Sequence, residues 1–194
     1  ANMVLDGIMF RSTNGRVTMD RDGRLATKGR VDSRLLAKLL AHPYLSQAPP
    51  KSTGREMFGE GMQAELLSWP QASKLSVEDL LATCTRWTAE AIGAARRWIK
   101  GGIDDVIVGG GGVKNRAIME HLKDVFAPVP VTTFEVQGWD SKALESVAFA
   151  ILAYQTVMEQ CGNVPAVTGA AAPRLLGCIV PSGPGWYERL RSSR

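Results

Sequence analysis

The spacing of apolar residues along the 194-residue chain predicts more helix than strand. Apolar side chains three and four positions apart share one helical face, and this spacing predicts helices over residues 31–41, 76–100, 115–125 and 141–160. Two short runs rich in β-branched residues predict strands at 105–108 and 129–134. Each strand is followed by a loop and a helix, which indicates β-loop-α units and a parallel sheet.

Capping residues and glycines indicate where the two longest helices begin and end. Ser76 is the expected N-cap of the first, and Gly101-Gly102 is its expected end. The second follows a turn at residues 138–141, with Ser141 as its cap, and Gly162-Asn163 is expected to close it.

Two parallel strands do not form a stable sheet by themselves. We expect them to be parallel neighbours, with helix 115–125 crossing between them in the right-handed sense. The chain begins inside an apolar pattern at Ala1-Asn2-Met3, without a starting Met or a cap, which resembles a cut through an element. The remaining strands are therefore expected from residues absent from this chain. A self-contained sheet of four or more strands would contradict this expectation.

A glycine-rich turn separates the first predicted strand from its helix. Gly109 to Gly112 follow the strand directly. Glycine lacks Cβ, so the backbone can adopt a positive φ and approach a ligand closely. The helix that follows offers free N–H groups, which suit phosphate or ribose oxygens. A glycine turn that serves packing alone is the alternative.

A second polar loop spans residues 49–56, with two prolines, two hydroxyls, one glycine and two cations. Such a loop can hold an anion. It can equally be a helix start, because Ser52 or Thr53 followed by Glu56 resembles a capping box. The residues leave both interpretations open.

Composition limits the function classes. A chain with 45% hydrophobic residues and a net charge of +4 suits one domain or one lobe of a larger protein. It has no Lys/Arg run with interleaved aromatics, which disfavours nucleic-acid binding. It also has no secretory signal and no apolar run of transmembrane length, so we expect a cytoplasmic protein without a membrane partner.

The cysteines and histidines do not form a recognisable site. Cys84, Cys161 and Cys178 are odd in number and widely spaced, which disfavours a disulfide framework or a zinc site. We expect each to be a small apolar filler. His42 is expected at a helix end and His121 on a helix surface, and neither has a partner at metal-ligand spacing. No protein metal site is therefore expected.

Several short segments occur in an order and spacing typical of one enzyme family. They are Ala1-Asn2-Met3 with Asp6, residues 20–23, Pro43-Tyr44, residues 50–56 with Phe58, residues 81–83 with Thr88-Ala89, residues 109–115, Thr132-Thr133, Asp140 with residues 145–150, residues 162–165, and residues 167–170. Over residues 1–181 the chain resembles the anhydro-N-acetylmuramic acid kinase and levoglucosan kinase family of the sugar-kinase/actin superfamily. Residues 182–194 are expected to be a polar, fraying tail.

This resemblance implies an α/β fold, the C-terminal part of the second lobe of an actin-like (ribonuclease H-like) sugar kinase. In that family water opens the 1,6-anhydro ring while the sugar O6 receives the γ-phosphoryl group of ATP, usually with Mg²⁺. The residues implied to bind the adenosine side of ATP are Gly109, Gly110, Gly111, Gly112 and Asn115. The implied sugar-binding residues are Asn2 and Glu145, and the implied phosphate or lid loop contains Lys51, Ser52, Thr53 and Arg55. For Glu145, an exposed helix edge is the alternative.

The resemblance also implies that essential parts lie outside the chain. In the family the catalytic base is an aspartate in an Asp-Thr-Gly-Pro segment just before the position of Ala1, so no catalytic residue is expected here. The first lobe and both phosphate-binding loops are missing as well. The expected partners are ATP, an anhydrosugar and the missing N-terminal half, and a homodimer is a further option. The sequence leaves the choice between anhydro-N-acetylmuramic acid and levoglucosan open.

Two other functions are compatible with parts of the sequence. One is a non-catalytic fragment that binds nucleotide without turnover. The other is a dinucleotide-binding Rossmann domain, with Glu135 holding a ribose at about the usual spacing after the glycines. Lys114 disfavours the Rossmann domain, because it occupies the place of the third glycine.

Overall fold

Helices dominate the computed structural model, which describes residues 2–180 and 183–192. The helices are α1 (Asn2–Ser12), α2 (Ser33–Leu40), α3 (Pro43–Ser46), α4 (Arg55–Phe58), α5 (Glu60–Ser68), α6 (Val77–Gly93), α7 (Arg116–Phe126), α8 (Ala143–Val157), α9 (Pro165–Thr168) and α10 (Trp186–Ser192). The strands are β1 (Val106–Val108) and β2 (Val131–Thr133). The chain therefore combines many helices with very little sheet, as its apolar pattern predicts.

The two strands are parallel neighbours, with Val106 opposite Val131, and α7 connects them. This confirms the predicted β-loop-α pairing. Strand β2 is shorter than predicted, because Phe134 already begins a 3-10 turn. Within the described residues the sheet has only these two strands, so each has one edge without a strand partner.

The core is built around α6, which packs against α1, α2 and α7. Leu81 and Cys84 of α6 are completely buried. Leu80 and Trp87 of the same helix are also buried, and the surrounding helices contribute further large apolar side chains, among them Val4, Leu5, Ile8, Leu35, Leu39, Leu66, Leu122 and Phe126. The predicted stripes of α2 and α6 therefore supply the core, although Leu40 at the end of α2 is exposed.

Helix α6 begins as predicted but ends early. The Ser76 hydroxyl accepts a hydrogen bond from the Asp79 N–H at 3.1 Å. The α-helix stops at Gly93 rather than at residue 100, and a 3-10 turn follows over Ala94–Trp98. A Cβ on Gly93 would lie 2.2 Å from Cγ1 of Val125, so α6 and α7 approach closely here. Tightening into a 3-10 turn is a common way for a helix to end.

Helix α8 is shorter than predicted at both ends. The Ser141 N–H donates to Oε1 of Glu135 at 3.2 Å, so Ser141 belongs to the preceding turn. Oδ1 of Asp140 accepts from the Lys142 N–H at 2.8 Å within the same turn, and Lys142 is the N-cap of α8, without a side-chain capping hydrogen bond. The helix ends at Val157, shortly before Glu159 adopts a φ of 57° in the left-handed region. The prediction that Gly162-Asn163 closes this helix is therefore wrong.

The C-terminal segment contains a helix that the sequence does not predict. Residues 186–192 form α10, and whether this stretch frays stays a prediction. The Arg189 N–H donates to the Gly185 carbonyl at 3.3 Å. The predictions for Ala1, for a boundary at residue 181 and for the last two residues lie outside the described residues. Among the helices within them, none has the length and hydrophobicity needed to span a membrane.

The cysteines divide into two kinds. Cys84 is buried in α6 and acts as the predicted apolar filler, and burial raises the pKa of its thiol to about 12. Cys161 and Cys178 are exposed, so the same prediction is wrong for them. Both follow α8, in a region where the chain provides few partners to bury a side chain.

The two histidines lie near the positions that the sequence indicates. His42 directly follows Ala41, the C-cap of α2, which confirms the predicted helix end. It is also the N-cap of α3, where its Nδ1 accepts from the Tyr44 N–H at 3.3 Å. His121 is half-buried on α7 rather than fully on the surface. Burial lowers the pKa of its imidazole.

Candidate functional site

The glycine turn directly follows β1, and its glycines differ in what surrounds them. A Cβ on Gly109 would lie 2.6 Å from Cδ1 of Leu144, so this glycine is required by packing. Gly110 has a φ of 80°, which favours glycine, and a Cβ there would meet nothing within 4 Å. Gly111 and Gly112 also face open space apart from the side chain of Asn2. The packing alternative therefore holds for Gly109, while the other three glycines leave room for a ligand.

Asn2 opens α1 and faces this turn. Cβ positions built on Gly111 and Gly112 would lie 3.9 Å and 3.7 Å from the nearest amide atoms of Asn2. Oδ1 of Asn2 is buried and has no hydrogen-bond partner among the described residues. A buried acceptor without a partner costs free energy. A bound donor group next to the glycine turn would remove this cost.

The turn and Asn2 border a cavity of about 470 Å³, which we call the turn cavity. Side chains of both charges line it, and the lining includes Asn2, Asp6, Asp22, Gly111, Lys114 and Asn115. An ammonium group, carboxylates and backbone amides together suit a ligand that carries both anionic and hydroxyl groups.

Asn115 holds the end of the turn in place. Its Oδ1 accepts from the Ile118 N–H at 3.1 Å and caps α7. Gly23 packs against this oxygen, because a Cβ added to Gly23 would lie only 2.2 Å from Oδ1 of Asn115. The cap occupies the side-chain oxygen, so the amide nitrogen is the group that Asn115 can offer to a ligand.

Glu145 lies near the turn but not in its cavity. The neighbouring Leu144 contacts Gly109, so the first turn of α8 borders one end of the glycine segment while Asn2 borders the other. The Glu145 side chain is exposed and is not part of the cavity lining. This position agrees with the exposed helix edge that the sequence left open as an alternative.

The polar loop at residues 51–55 is not part of the turn cavity. Nζ of Lys51 donates to the Tyr44 carbonyl at 2.8 Å and lies 4.4 Å from the centroid of that ring. Ser52 and Thr53 are exposed. The Gly54 N–H donates to Oε1 of Glu56 at 2.6 Å, and Gly54 itself is the N-cap of α4. The capping-box alternative is therefore wrong, because the N-cap is a glycine, which has no side chain to complete the box.

Arg55 lines a second cavity of about 870 Å³, together with Arg11 and Gln63. Asp6 lines both cavities and is therefore the residue that they share. Burial raises the pKa of the Asp6 carboxyl, and it has no ion pair within the described residues. In the sequence, Asp6 was notable only as part of a matching segment.

The sequence did not indicate any role for the loop at residues 20–23. Both carboxylate oxygens of Asp20 accept backbone hydrogen bonds, from Leu25 and Ala26, each at 2.9 Å. This loop contributes Arg21 and Asp22 to the turn cavity. Its Asp-x-Asp-Gly pattern predicts a turn, but not that the turn packs against Asn115.

The family model for anhydro-N-acetylmuramic acid kinase matches residues 1–182. The chain belongs to this family. It is 38% identical over 183 residues to the anhydro-N-acetylmuramic acid kinase of Caldanaerobacter subterraneus subsp. tengcongensis, and the match covers 92% of this chain and 46% of the relative. It is 40% identical over 187 residues to that of Salinibacter ruber, covering 95% and 47%. It is 44% identical over 162 residues to that of Cupriavidus pinatubonensis, covering 84% and 43%. The chain spans about half the length of the curated relatives it matches.

Membership of this kinase family disfavours a dinucleotide-binding domain. The hydrogen bonds of Glu135, the predicted ribose ligand of such a domain, also disfavour it. Hydrogen bonds from Ser141 and, secondarily, Thr133 lower the pKa of its carboxyl to about 2. The carboxylate thus stabilises the turn before α8 and is not positioned as a free ribose ligand. Among the described residues, no group of three or more His, Cys, Asp or Glu side chains could hold a metal ion.

Proposed function

We propose that this chain forms part of an ATP-dependent anhydrosugar kinase, which opens a 1,6-anhydro ring with water and phosphorylates O6. Anhydro-N-acetylmuramic acid is the proposed substrate, because the relatives carry that name. Levoglucosan is the alternative substrate. The observation that carries the proposal is the convergence of Asn2, Gly111 and Asn115 on one polar cavity.

The turn cavity supplies groups that phosphoryl transfer requires, which are positioning groups and positive charge. Gly110, Gly111 and Gly112 let the nucleotide approach the backbone, and the Lys114 ammonium offsets phosphate charge. The amide nitrogen of Asn115 offers a donor. Mg²⁺ bound to ATP would supply further charge neutralisation on the phosphates.

The sugar is proposed to lie on the outer side of the glycine turn. Asn2 borders one end of the turn, and the first turn of α8, which carries Glu145, borders the other, so a sugar on this side would lie between the two elements. The Asn2 amide would bind hydroxyl or acetamido groups, and the Glu145 carboxylate would accept hydrogen bonds from hydroxyls. The loop carrying Lys51, Ser52, Thr53 and Arg55 is proposed as a lid or phosphate loop, because Arg55 borders the adjacent cavity.

The remaining half of the relatives' length is proposed to supply the catalytic base, the first lobe and the other strands of an actin-like sheet. Two features support this proposal. Within the described residues, each strand has an unpaired edge. Apolar side chains of α8 are also exposed, with Phe149 at 64% and Tyr154 at 60%. Exposed apolar patches of this kind mark interaction surfaces.

The first test is calorimetric titration of Mg·ATP into the chain, comparing Gly111→Val with Gly61→Val. Gly111 borders the turn cavity, whereas Gly61 lies in α5 and borders the second cavity instead, and neither has a positive φ. We expect the Gly111 variant to lose ATP affinity by about tenfold or more, a typical cost of blocking a close contact. The Gly61 variant should bind ATP as the unsubstituted chain does. Equal ATP affinity in all three proteins would contradict the assigned nucleotide site.

The second test separates a kinase from a nucleotide-binding module without turnover. The chain alone is expected to bind ATP and to form no sugar phosphate. After addition of a polypeptide corresponding to the half that this chain does not match, ADP and a 6-phosphorylated sugar should form. Assays with anhydro-N-acetylmuramic acid and with levoglucosan would identify the substrate. Binding without turnover in the combined sample would favour the non-catalytic module.

A further inference from the structure

Asp22 adopts a left-handed backbone conformation, which few residues other than glycine occupy, although aspartate occupies it more often than most. Its φ of 58° and ψ of 16° lie in the left-handed region, which residues with a Cβ rarely occupy. Aspartate usually tolerates this region when its carboxylate hydrogen-bonds locally. Among the described residues, no hydrogen bond or ion pair involves the Asp22 carboxylate. Nothing in its own turn therefore offsets the strain.

The loop around Asp22 is held firmly in place. Asp20 accepts two backbone hydrogen bonds, each at 2.9 Å, from the residues that follow the loop. Gly23, with a φ of 71°, packs directly on Asn115. These contacts fix the loop on both sides of Asp22. Strained residues that persist in such well-held segments cluster at binding and catalytic sites.

The position of Asp22 indicates which ligand group its carboxylate would bind. Asp22 lines the turn cavity together with Lys114 and Gly111. A carboxylate repels phosphate, but it accepts hydrogen bonds from hydroxyl groups. The Lys114 ammonium in the same cavity attracts phosphate. A nucleotide therefore fits with its phosphates towards Lys114 and its ribose towards Asp22.

The other aspartates that line the cavity are less suited to this contact. Both oxygens of Asp20 are already engaged with backbone N–H groups. Asp6 is partly buried on α1, and burial raises the pKa of its carboxyl, which disfavours the charged form. Asp22 is exposed, and its carboxylate has no partner within the described residues.

We propose that Asp22 binds the ribose hydroxyls of the nucleotide in the turn cavity, and that its strained conformation is retained for this contact. This inference rests on the proposed function, in which the turn cavity takes ATP. It predicts that stability and nucleotide affinity change in opposite directions when Asp22 is replaced by glycine.

The test compares Asp22→Gly with Asp22→Asn in the 194-residue chain. Each variant is titrated with ATP and with 2′,3′-dideoxy-ATP, and its thermal midpoint is measured. Asp22→Gly should raise Tm by about 1–3 °C, because glycine adopts this conformation without strain. It should weaken ATP binding about tenfold, the effect of losing a charge-assisted hydrogen bond. Asp22→Asn tolerates the same φ and keeps an acceptor, so it should lose less affinity.

The dideoxy nucleotide isolates the ribose contact. The unsubstituted chain should bind 2′,3′-dideoxy-ATP about tenfold more weakly than ATP, whereas Asp22→Gly should bind both equally. Glu159→Gly is the matched control, because Glu159 has a φ of 57° and does not line the turn cavity. It should raise Tm without changing the affinity for either nucleotide.

The possible failures are distinguishable. If the unsubstituted chain does not bind ATP, with or without the complementary half, the proposed nucleotide site and this inference both fail. If ATP binds but Asp22→Gly binds it with unchanged affinity, the ribose assignment is overturned and the nucleotide site stands. The same conclusion follows if the unsubstituted chain binds both nucleotides equally.

Discussion

Two helices of this molecule are buried very differently, and the more apolar of the two, α8, is the more exposed. Helix α6 places Leu81 and Cys84 in the core with no exposed surface. Helix α8 is also rich in apolar residues, yet none of its residues is buried, and Phe149 remains 64% exposed. Hydrophobic composition alone therefore does not determine burial. A helix becomes part of a core only when other elements cover its apolar face.

The difference follows from the neighbours of each helix. Helix α6 has α1, α2 and α7 packed around it. Helix α8 follows a sheet that has two strands within the described residues. An amphipathic or apolar helix gains most of its stability from packing. The exposed face of α8 is thus the surface on which the proposed complementary half would have its largest effect.

The strongest test of this contrast is a pair of truncations, Leu81→Ala in α6 and Phe149→Ala in α8. Leu81→Ala should lower the free energy of unfolding by about 2–5 kcal/mol, because it leaves a cavity in a closed core. Phe149→Ala should change it by less than about 0.5 kcal/mol, since its ring is already largely in water. Urea denaturation of the chain alone measures both values.

Adding the complementary half should increase the loss of unfolding free energy for Phe149→Ala and leave the loss for Leu81→Ala unchanged. Phe149→Ala should then become more costly, because the ring would be covered. Comparable losses for both variants in the chain alone would contradict the contrast, since they would show that α8 is already packed.

Thiol labelling compares the same two regions without any substitution. Cys161 and Cys178 are exposed, whereas Cys84 is buried and burial raises its pKa to about 12. At pH 8 iodoacetamide should modify the two exposed thiols at least about 100-fold faster, because the thiolate reacts and Cys84 requires opening of the core. Mass spectrometry of peptides from each position measures the rates, and labelling in denaturant is the control. Rapid modification of Cys84 would show that the core around α6 opens readily.

Much of the fold could be predicted from local patterns. Apolar periodicity indicated α6, α7 and α8, and β-branched runs indicated both strands and their parallel pairing. The ends of the elements were harder to predict, because contacts between distant residues decide them. Gly93, for example, lies against Val125, which local sequence does not indicate.

Less of the candidate functional site than of the fold could be predicted from the sequence. The glycine turn stands out in the sequence, and the family resemblance added Asn2, which the structure places beside Gly111 and Gly112. The role proposed for Asp22 could not be predicted from the sequence, because a turn pattern does not indicate a positive φ at this aspartate. The packing of Gly23 on Asn115 also joins distant parts of the chain.

The smallest expected effect concerns the turn that leads into α8. Hydrogen bonds from Ser141, and secondarily Thr133, lower the pKa of the Glu135 carboxyl from 4.5 to about 2 in the folded chain. A lowered folded pKa contributes stability above the unfolded value. That contribution is lost as the pH falls from 4.5 through about 2. Glu135 is exposed, so solvent screens the interaction and the effect on global stability should be small.

A local measurement can detect this loss even when global stability hardly changes. The Ser141 amide donates to Glu135, so its proton chemical shift should titrate with a midpoint near pH 2. Amides in the middle of α6 should show no such titration while the core is folded. Glu135→Gln is the control, because it cannot ionise and should remove the titration at Ser141. A midpoint close to 4.5, or the same titration in Glu135→Gln, would show that this carboxylate does not hold the start of α8.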